Sequence, residues 1–485
     1  MSTNIVLASK KPGCLTLFSV ALLAATFLVP SQARPVAADD PPSLEGIDRY
    51  TVVLAKKAIT VSGDEIDNAV IVVLDGKIEN IGKGLEYPKN ANVIDAGDRV
   101  VMPGLINPLA RGNLPAFSRS GVHTNLVAAD ELFTTDETFS TQVEYGFTTI
   151  GLVPSGSGLP GRLSIVHTAG DEDSQIVKRE SLIYATGNKG EIRAALERAQ
   201  KEIDKVEAAR KKWEEAQKKG GKPESSPEGK GDETPSPEPT PEPEPEPEPE
   251  TAPGAWGTPL PPRRPTPTPV PTPSPASQPV TPPATTAFSP PKIAEEYQPL
   301  VDLIQKKEGV ALFVRLNDAS DYIHLLEVFQ KFDVARVFYL QTFSTSDFHE
   351  VAKKMGENKE KVLMTPYWNT LPHSAERYLL AAELAAAGCA ISLQPSNEGE
   401  YAHRNLFAQM SELVSMGFSR ELALQAVTVA PAKLLLIDQE CGTLEKERAA
   451  DMIMLDGDPL APGTRVTGVM IGGDMVWERK ENPND

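Results

Sequence analysis

The sequence has few cysteines, few aromatic residues and no excess of positive charge. Its 485 residues include 3 cysteines, and aromatic residues make up 6% of the chain. Acidic residues outnumber basic ones by 67 to 48, and the formal net charge is -19. This balance argues against a nucleic-acid binder, because neutralising phosphates requires a basic face. After residue 38 only Cys389 and Cys441 remain, too few for a disulfide framework. We expect two buried free thiols, with a single bridge as the alternative.

Residues 1–38 have the pattern of an export signal. Lys10 and Lys11 precede a mostly apolar run from Cys14 to Pro30, and cleavage after Ala33 or after Ala38 is compatible with the small residues there. The alternative is an uncleaved anchor, although the run is at the short edge of the roughly 17–25 residues that a spanning helix needs. We expect an exported protein of the periplasm, cell envelope or extracellular space, with no stable membrane span after cleavage.

Proline is concentrated in one segment, since 25 of the 44 prolines fall between Pro223 and Pro291. Proline removes backbone donors and favours polyproline II, so residues 220–292 are predicted to be a disordered insertion rich in proline, glutamate and threonine. We favour a solvated insertion between two barrel elements. The alternative is a spacer or docking strip in the cell envelope.

The rest of the chain alternates between strand-like and helical patterns. Short β-branched runs occupy residues 47–102, and strand-like runs such as TTIGLV (148–153) and ALFVRL (311–316) then alternate with helices. Such alternation predicts parallel strands and an α/β fold, and a (β/α)8 barrel fits the number of runs better than a doubly wound sheet. Residues 188–220 predict a long charged helix, laid against the barrel wall or pairing as a coiled coil.

Two stretches carry a resemblance to a known family. The segment DAGDRVVMPGLINPLARGNL (95–114) resembles the opening barrel strand of the amidohydrolase superfamily, where the pattern is P-G-L-I-D-x-H-x-H. Residues 417–460 and 466–478 resemble the closing helix of that superfamily and its return into a small β domain. A weaker match is EYGFTTIGLVPSGSGLPG (144–161), and the imidazolonepropionase-like members are the most similar.

The resemblance implies a TIM-like barrel with a small β-sandwich domain built from both ends of the chain. The sandwich would comprise residues 47–102 and 438–480, and the barrel residues 103–219, ending in the long charged helix, and 293–437. The activity of the family is metal-dependent hydrolysis of C–N, non-peptide bonds, with zinc or another divalent metal.

The positions that hold metal in the family carry other residues here. The resemblance places Leu109 and Arg111 at the two histidines of the first strand, and Ser396 near the aspartate of the last. Leucine has no lone pair to donate, and arginine remains protonated and cannot ligate. We therefore expect a degenerate metal site, with no cofactor and no catalytic residue.

A pocket at the strand ends is still expected. Its predicted lining is Arg111, Arg315, Gln394 and Ser396, and the candidate pocket histidines are His167 and His403. Two arginines favour a small anionic ligand such as a carboxylate.

Three functional hypotheses follow. The first is an exported pseudoenzyme that binds a ligand or serves as a partner subunit, as a homo-oligomer or paired with an active relative. The second is an active amidohydrolase with a displaced or single-metal site, built from His167, His403 and Glu398 or Glu400. The third is a cell-envelope scaffold that uses the proline-rich strip.

Overall fold

The computed structural model describes residues 49–112, 114–115, 119–132, 139–170, 174–186, 189–218, 287–342, 346–371 and 373–480. The predicted export signal (1–38) and most of the predicted insertion (220–292) lie outside these ranges. Among the helices of the described ranges, none has the length and apolar character needed to cross a membrane.

The elements are numbered in chain order. The strands are β1 (Tyr50–Ala58), β2 (Ile66–Leu74), β3 (Lys77–Lys83), β4 (Asn92–Asp95), β5 (Val100–Pro103), β6 (Leu105–Ala110), β7 (Ser120–Val122), β8 (Phe147–Leu152), β9 (Ser157–Leu159), β10 (Gly161–Arg162), β11 (Ser164–His167), β12 (Ile176–Lys178), β13 (Ile183–Ala185), β14 (Leu312–Leu316), β15 (Arg336–Leu340), β16 (Lys361–Met364), β17 (Asn369–Thr370), β18 (Arg377–Tyr378), β19 (Ala390–Leu393), β20 (Met452–Leu455), β21 (Val466–Ile471) and β22 (Asp474–Glu478). The α-helices are α1 (Ser140–Glu144), α2 (Lys189–Lys218), α3 (Gln298–Ile304), α4 (Ala319–Lys331), α5 (Ala352–Glu357), α6 (Leu380–Ala387), α7 (Glu400–Arg404), α8 (Leu406–Ser415), α9 (Arg420–Gln425) and α10 (Val429–Leu435), and 3-10 turns occupy Ala128–Glu131, Glu295–Tyr297 and Phe348–Val351.

Both ends of the described chain contribute to one eight-stranded sheet. Its hydrogen-bonded order is β22-β21-β20-β5-β1-β2-β3, with β4 beside β1. Asp75 and Gly76 both have positive φ, which allows the tight turn between β2 and β3. Strands β20 and β5 pair antiparallel, so the last part of the chain returns to the first, as the resemblance implies. The small β domain is therefore hydrogen-bonded into one sheet.

The barrel is built from two sets of parallel strands. Strand β6 pairs parallel with β8, and β13, β14, β15, β16 and β19 form a consecutive parallel series. Helices α4, α5 and α6 lie between successive strands of this series. Because parallel neighbours need a crossover connection, this order produces the predicted strand–helix alternation. The predicted α/β class is confirmed.

Backbone hydrogen bonds join the two sets into a closed ring. Strands β10 and β11 follow each other along one segment of the chain. In this segment β10 pairs antiparallel with β13 on one side, and β11 pairs antiparallel with β8 on the other. At the other junction, Leu393 donates to the carbonyl of Ala426 at 2.7 Å, and Ile106 donates to the carbonyl of Val427 at 2.9 Å. The ring of described strands thus has seven parallel strands, and the segment of β10 and β11 occupies one further position as an antiparallel member. Eight parallel strands were predicted.

Alternate residues of the barrel strands divide between two apolar layers. Phe313, Val337 and Leu363 pack in the cluster that fills the barrel, whereas their neighbours Val314 and Phe338 pack in the layer between strands and helices. This division follows from the two-residue period of a strand. Residues two positions later along these strands consequently reach the carboxyl end of the barrel, where TIM-barrel sites lie.

Helix α2 lies against the barrel over its first half. Its residues Ile192, Leu196, Ala199 and Ile203 are buried in the layer shared with α3 and α4. Farther along, Trp213 contacts Phe288 at a ring distance of 5.8 Å. The first half of this helix therefore fits the interpretation of a helix laid against the barrel wall. The two expected thiols, Cys389 and Cys441, are buried and free.

Candidate functional site

The candidate site is at the carboxyl ends of the parallel strands. Arg111 directly follows β6, Arg315 is the fourth residue of β14, and Gln394 directly follows β19. Beneath them the barrel is filled by Phe313, Val337 and other apolar side chains. We call this end of the ring the barrel mouth, and its polar residues stand on an apolar floor.

Arg111 is anchored at the mouth by its side chain. One of its guanidinium nitrogens, Nη2, donates to the Ser155 hydroxyl at 2.6 Å, and that hydroxyl donates to the carbonyl of Pro115 at 3.0 Å. Among the described residues no carboxylate forms an ion pair with this guanidinium. Its positive charge is therefore held in place by neutral partners.

Glu398 connects the loop after the last strand to the end of the first. Its Oε1 accepts from the backbone N–H of Arg111 at 2.5 Å, and its Oε2 accepts from that of Gly112 at 2.9 Å. Charge-assisted bonds of this kind are among the stronger hydrogen bonds in proteins. They pin the backbone from which the Arg111 side chain extends.

Tyr184 is a buried tyrosine of the cluster that fills the ring. It is buried, and its ring packs against Phe313 at 5.9 Å between centroids. Burial raises the pKa of the Tyr184 phenol, while the charge of Arg315, a hydrogen bond with Arg315 and the charge of Arg111 oppose that rise. The phenol is therefore neutral at pH 7 and is close to both arginines.

Tyr339 and Gln394 form a second neutral pair at the mouth. Burial raises the pKa of Tyr339, and the charge of Arg315 and a hydrogen bond with Gln394 oppose that rise. Gln394 is buried, and its Oε1 has no hydrogen-bond partner among the described residues. The buried hydroxyl oxygen of Thr186 has none there either. Two buried polar atoms at this end of the ring are thus available to a bound molecule or to water.

A cavity of about 310 Å³ opens at the ends of β13 and β14. Its lining includes Thr186, Arg315 and Lys189, and also Asp321 and His324 of helix α4. The Asp321 carboxylate accepts from the backbone N–H of Asn317 at 2.9 Å. The Asp321 carboxylate is thus engaged within the protein and Lys189 pairs with Glu327, so Arg315 is the lining cation without a carboxylate partner among the described residues.

The two other degenerate positions are occupied by groups that do not ligate. Leu109 is half-buried against the apolar cluster of the barrel interior. Ser396 follows the last strand, and its hydroxyl accepts from the Asn397 amide at 3.4 Å. Both lie in the segments that the resemblance assigned to metal ligands.

The residues at the mouth do not fit a divalent metal. The side chains present are a leucine, two arginines, two neutral tyrosines and a glutamine, and Glu398 is bound to two backbone amides. A metal site of this type needs several histidine or carboxylate donors. No cluster of three or more histidine, cysteine or acidic side chains suited to a metal ion occurs in the described part of the chain.

His167 lies at the other end of the barrel strands. It pairs with Thr149 near the start of β8, and its Nδ1 is 3.4 Å from the carbonyl oxygen of Thr148 and 3.7 Å from a carboxylate oxygen of Asp451. This differs from the expectation of a pocket histidine at the mouth. The reason is direction: β11 runs antiparallel to β8, so its last residue meets the beginning of β8.

His403 also lies outside the mouth. It is buried, and its ring packs edge-on against Phe147 at 5.1 Å, in the layer between strands and helices. Its Nδ1 lies 2.9 Å from the carbonyl oxygen of Gly399, so Nδ1 carries the proton. Burial lowers its pKa, which keeps the ring neutral at pH 7. Neither His167 nor His403 therefore lines the barrel mouth.

Three mouth residues were not among the sequence candidates: Ser155, Tyr184 and Glu398 as a backbone anchor. Tyr184 could have been found from the alternation of SLIYAT (181–186), because its neighbours Ile183 and Ala185 face the helices. Ser155 and Glu398 lie in loops, where periodicity carries no information about direction.

The comparisons with known proteins concern sequence and fold separately. The amidohydrolase family model matches residues 387–476. No curated protein matches the sequence significantly. Among solved structures, an amidohydrolase from Thermotoga maritima MSB8 has 17% identity and a TM-score of 0.61, with 88% of this chain and 100% of that chain covered.

Two further solved structures are less similar in fold. A prolidase complexed with N-methylphosphonate-L-proline has 13% identity and a TM-score of 0.46, with 89% of this chain and 100% of that chain covered. A Xaa-Pro dipeptidase with bound methionine has 16% identity and a TM-score of 0.46, with the same coverage of 89% and 100%. The resemblance of this chain to the amidohydrolase superfamily is thus confirmed, by sequence over residues 387–476 and by fold over most of its length.

Proposed function

We propose that this chain is an exported amidohydrolase-like protein whose barrel mouth binds a small carboxylate ligand in place of the metal of the family. One observation carries the proposal. Arg111 directly follows β6 and Arg315 lies near the end of β14, so both stand at the carboxyl end of the ring, and neither guanidinium pairs with a carboxylate among the described residues. Two such cations at the end of an apolar barrel are suited to an anion.

The residues around the two arginines favour a ligand with two carboxylate groups. The guanidinium groups bind carboxylates through paired N–H donors, and the tyrosine hydroxyls of Tyr184 and Tyr339 add neutral donors. The apolar floor of Phe313 and Val337 excludes water and strengthens these contacts. A dicarboxylate uses both arginines at once, so it is the ligand class that we propose.

The loss of catalysis is the second part of the proposal. Hydrolysis in this superfamily needs a metal that lowers the pKa of a bound water and polarises the scissile carbonyl. The donor set at the mouth is not suited to such an ion. The proposed role is therefore that of a binding protein or of a subunit that pairs with itself or with an active relative.

The test combines metal content with ligand affinity. The full mature protein would be incubated with zinc, desalted and analysed for metal, and its affinity for succinate would be measured by calorimetry, with neutral succinamide as the matched compound. We expect substoichiometric zinc and binding of succinate alone. Stoichiometric zinc, together with amide hydrolysis that stops on chelation, would instead support an active enzyme with a displaced site.

Two substitutions locate the ligand. Arg111→Gln and Arg315→Gln each remove one charged donor and are expected to weaken succinate binding by about 1.5–3 kcal/mol. Arg210→Gln, an exposed arginine in the second half of α2 that pairs with Glu214, is the matched control and is expected to change nothing. Equal succinate affinity in all four proteins would contradict a mouth site.

Export has its own test, because residues 1–38 lie outside the described ranges. Fractionation of cells and sequencing of the mature amino terminus distinguish cleavage after Ala33, cleavage after Ala38 and a retained anchor. A full-length protein confined to the cytoplasm would contradict export.

A further inference from the structure

A larger cavity lies outside the barrel, between its helices and the eight-stranded sheet. Its volume is about 570 Å³, and it is lined by the end of α1, by α7 and α8, by the loop before β21, and by Arg479 after β22. Helix α1 contacts both β21 and α7, so the walls come from elements that already pack together. Nothing in the proposed mouth site involves this cavity.

Positive charge predominates in the lining. Arg404, Arg465 and Arg479 all line the cavity, against a single carboxylate, Glu144. This concentration stands out in a chain whose net charge is -19. Guanidinium groups on different elements can approach one anion from several directions.

The arginines keep donors available. Arg479 uses its Nε to donate to the Val466 carbonyl at 3.0 Å, which fixes the side chain. Arg404 is 3.8 Å from the Glu400 carboxylate, a distant pair that is largely exposed. Arg465 donates its backbone N–H to the Asp456 carboxylate at 2.8 Å, while its guanidinium forms no ion pair within the described ranges. The unused N–H groups are therefore free to bind an anion from the cavity.

The remaining lining is apolar or neutral. Phe407, Ala408, Pro462 and Val466 give the cavity apolar surface, and neutral His403 closes its inner wall. The Nε2 of His403 is an acceptor with no hydrogen-bond partner among the described residues. A ligand body placed against these groups loses water from an apolar surface, which favours binding.

We infer that this cavity is a second binding site, for a small organic anion that carries an apolar or aromatic body. The anionic group contacts Arg465 and Arg479, and the body packs on Phe407 and Val466. Because α8 belongs to the barrel and β21 to the sheet, the ligand joins the two parts of the protein and raises the unfolding temperature.

The test uses benzoate as the probe, with benzyl alcohol as the neutral compound of matching shape. Binding would be measured by calorimetry and by ligand-observed NMR on the full mature protein carrying Arg111→Gln and Arg315→Gln, so that the barrel mouth does not contribute. We expect benzoate to bind one site, and Arg465→Gln in this background to weaken binding roughly 10- to 100-fold. Arg210→Gln is the control that should leave benzoate binding unchanged.

A second variant separates a lost contact from a lost fold. Ala408 is exposed and lines the cavity, so Ala408→Trp fills it without removing a charge. We expect this variant to unfold at the temperature of its parent, the protein carrying Arg111→Gln and Arg315→Gln, but to bind benzoate at least 10-fold more weakly. The inference is overturned if benzoate does not bind, or if it binds Arg465→Gln and Ala408→Trp as it binds the parent.

Discussion

The carboxylate of Glu398 binds the backbone of Arg111, at 2.5 Å from its amide nitrogen, across 287 residues of sequence. The same carboxylate binds the amide of Gly112 at 2.9 Å. One side chain from the last strand's loop thus holds the end of the first strand, where the ring closes. This contact couples barrel closure to the position of the proposed ligand-binding arginine.

Glu398→Gln is therefore expected to destabilise the protein and weaken the mouth site together. The amide keeps one acceptor but loses the charge, so we expect a decrease of about 1–3 kcal/mol in the free energy of unfolding. Urea denaturation followed by fluorescence measures it, and succinate affinity should fall in the same variant. Glu308→Gln, an exposed residue, is the control. A variant as stable as the wild type would show that the two amide contacts contribute nothing.

Restoring histidines at the first strand alone should not restore a metal site. The double variant Leu109→His and Arg111→His supplies two ligands, but Arg315 and Gln394 remain at the other strand ends. Closed zinc sites use three or four protein donors, and a nearby guanidinium opposes a cation. We expect no stoichiometric zinc after desalting, as measured by mass spectrometry of metals. Tight zinc binding would mean that only the first strand had lost its ligands.

Much of the mouth follows from sequence because its residues stand on regular strands. The resemblance to the family implies the position of Arg111 through the P-G-L-I pattern, and those of Arg315 and Gln394 through the strand-like runs that it aligns with later barrel strands. The structure places all three at the carboxyl end of the ring. Fold class was likewise predictable, since strand–helix alternation leaves few topologies.

Contacts that depend on strand direction or on loops were not predictable. The pattern of SIVHTAG identifies a strand but not its direction, and the antiparallel course of β11 carries His167 to the other end of the barrel. The bond between His403 and the Gly399 carbonyl depends on a short helix after the last strand. Periodicity gives the face of a strand, whereas tertiary pairing decides which end of the barrel it reaches.

The start of helix α4, which lines the mouth cavity, should show a pH-dependent stability. The Asp318 carboxylate caps this helix by accepting from the backbone N–H of Asp321 at 3.0 Å, and it accepts from the Ser320 hydroxyl at 2.6 Å. These bonds, that from Ser320 first, hold the pKa of Asp318 below its ordinary value of 3.8. A lowered folded-state pKa means that the stabilisation is present above pH 3.8 and is lost as the pH falls through the folded value.

Asp318→Ala is expected to lower the free energy of unfolding by about 1 kcal/mol at pH 7. The difference from the wild type should shrink at lower pH, as the Asp318 carboxyl group of the wild type becomes protonated. Unfolding followed by circular dichroism between pH 3 and pH 7 measures both effects. Asp318→Asn retains a capping oxygen without the charge and is the matched control. If the alanine variant lost the same stability at every pH, the ionised carboxylate would have no part in the cap.

A largely buried ion pair of the barrel makes the sharpest stability prediction. Arg336 binds Glu360 through Nη2 at 2.5 Å and Nε at 3.1 Å, with side chains 15% and 4% exposed, and Tyr322 donates to the same carboxylate oxygen at 3.3 Å. Burial raises the pKa of Glu360, and the hydrogen bond and charge of Arg336 oppose that rise. Removing one partner leaves the other charge unpaired in an apolar layer. Glu360→Ala is therefore expected to lower the free energy of unfolding by about 3–5 kcal/mol.

Replacing both charges should recover most of that loss. The double variant Arg336→Met and Glu360→Leu fills a similar volume without a buried charge, and such replacements are often neutral or stabilising. Denaturant unfolding of the wild type, Arg336→Met, Glu360→Leu and the double variant gives the coupling energy directly. The exposed pair Lys306 and Asp333 is the reference, because its removal should cost less than about 1 kcal/mol. Glu360→Ala could instead lower the free energy of unfolding no more than removal of this exposed pair does. An unpaired, buried Arg336 guanidinium would then cost the protein little. The pair would then be as weak as a surface ion pair despite its burial.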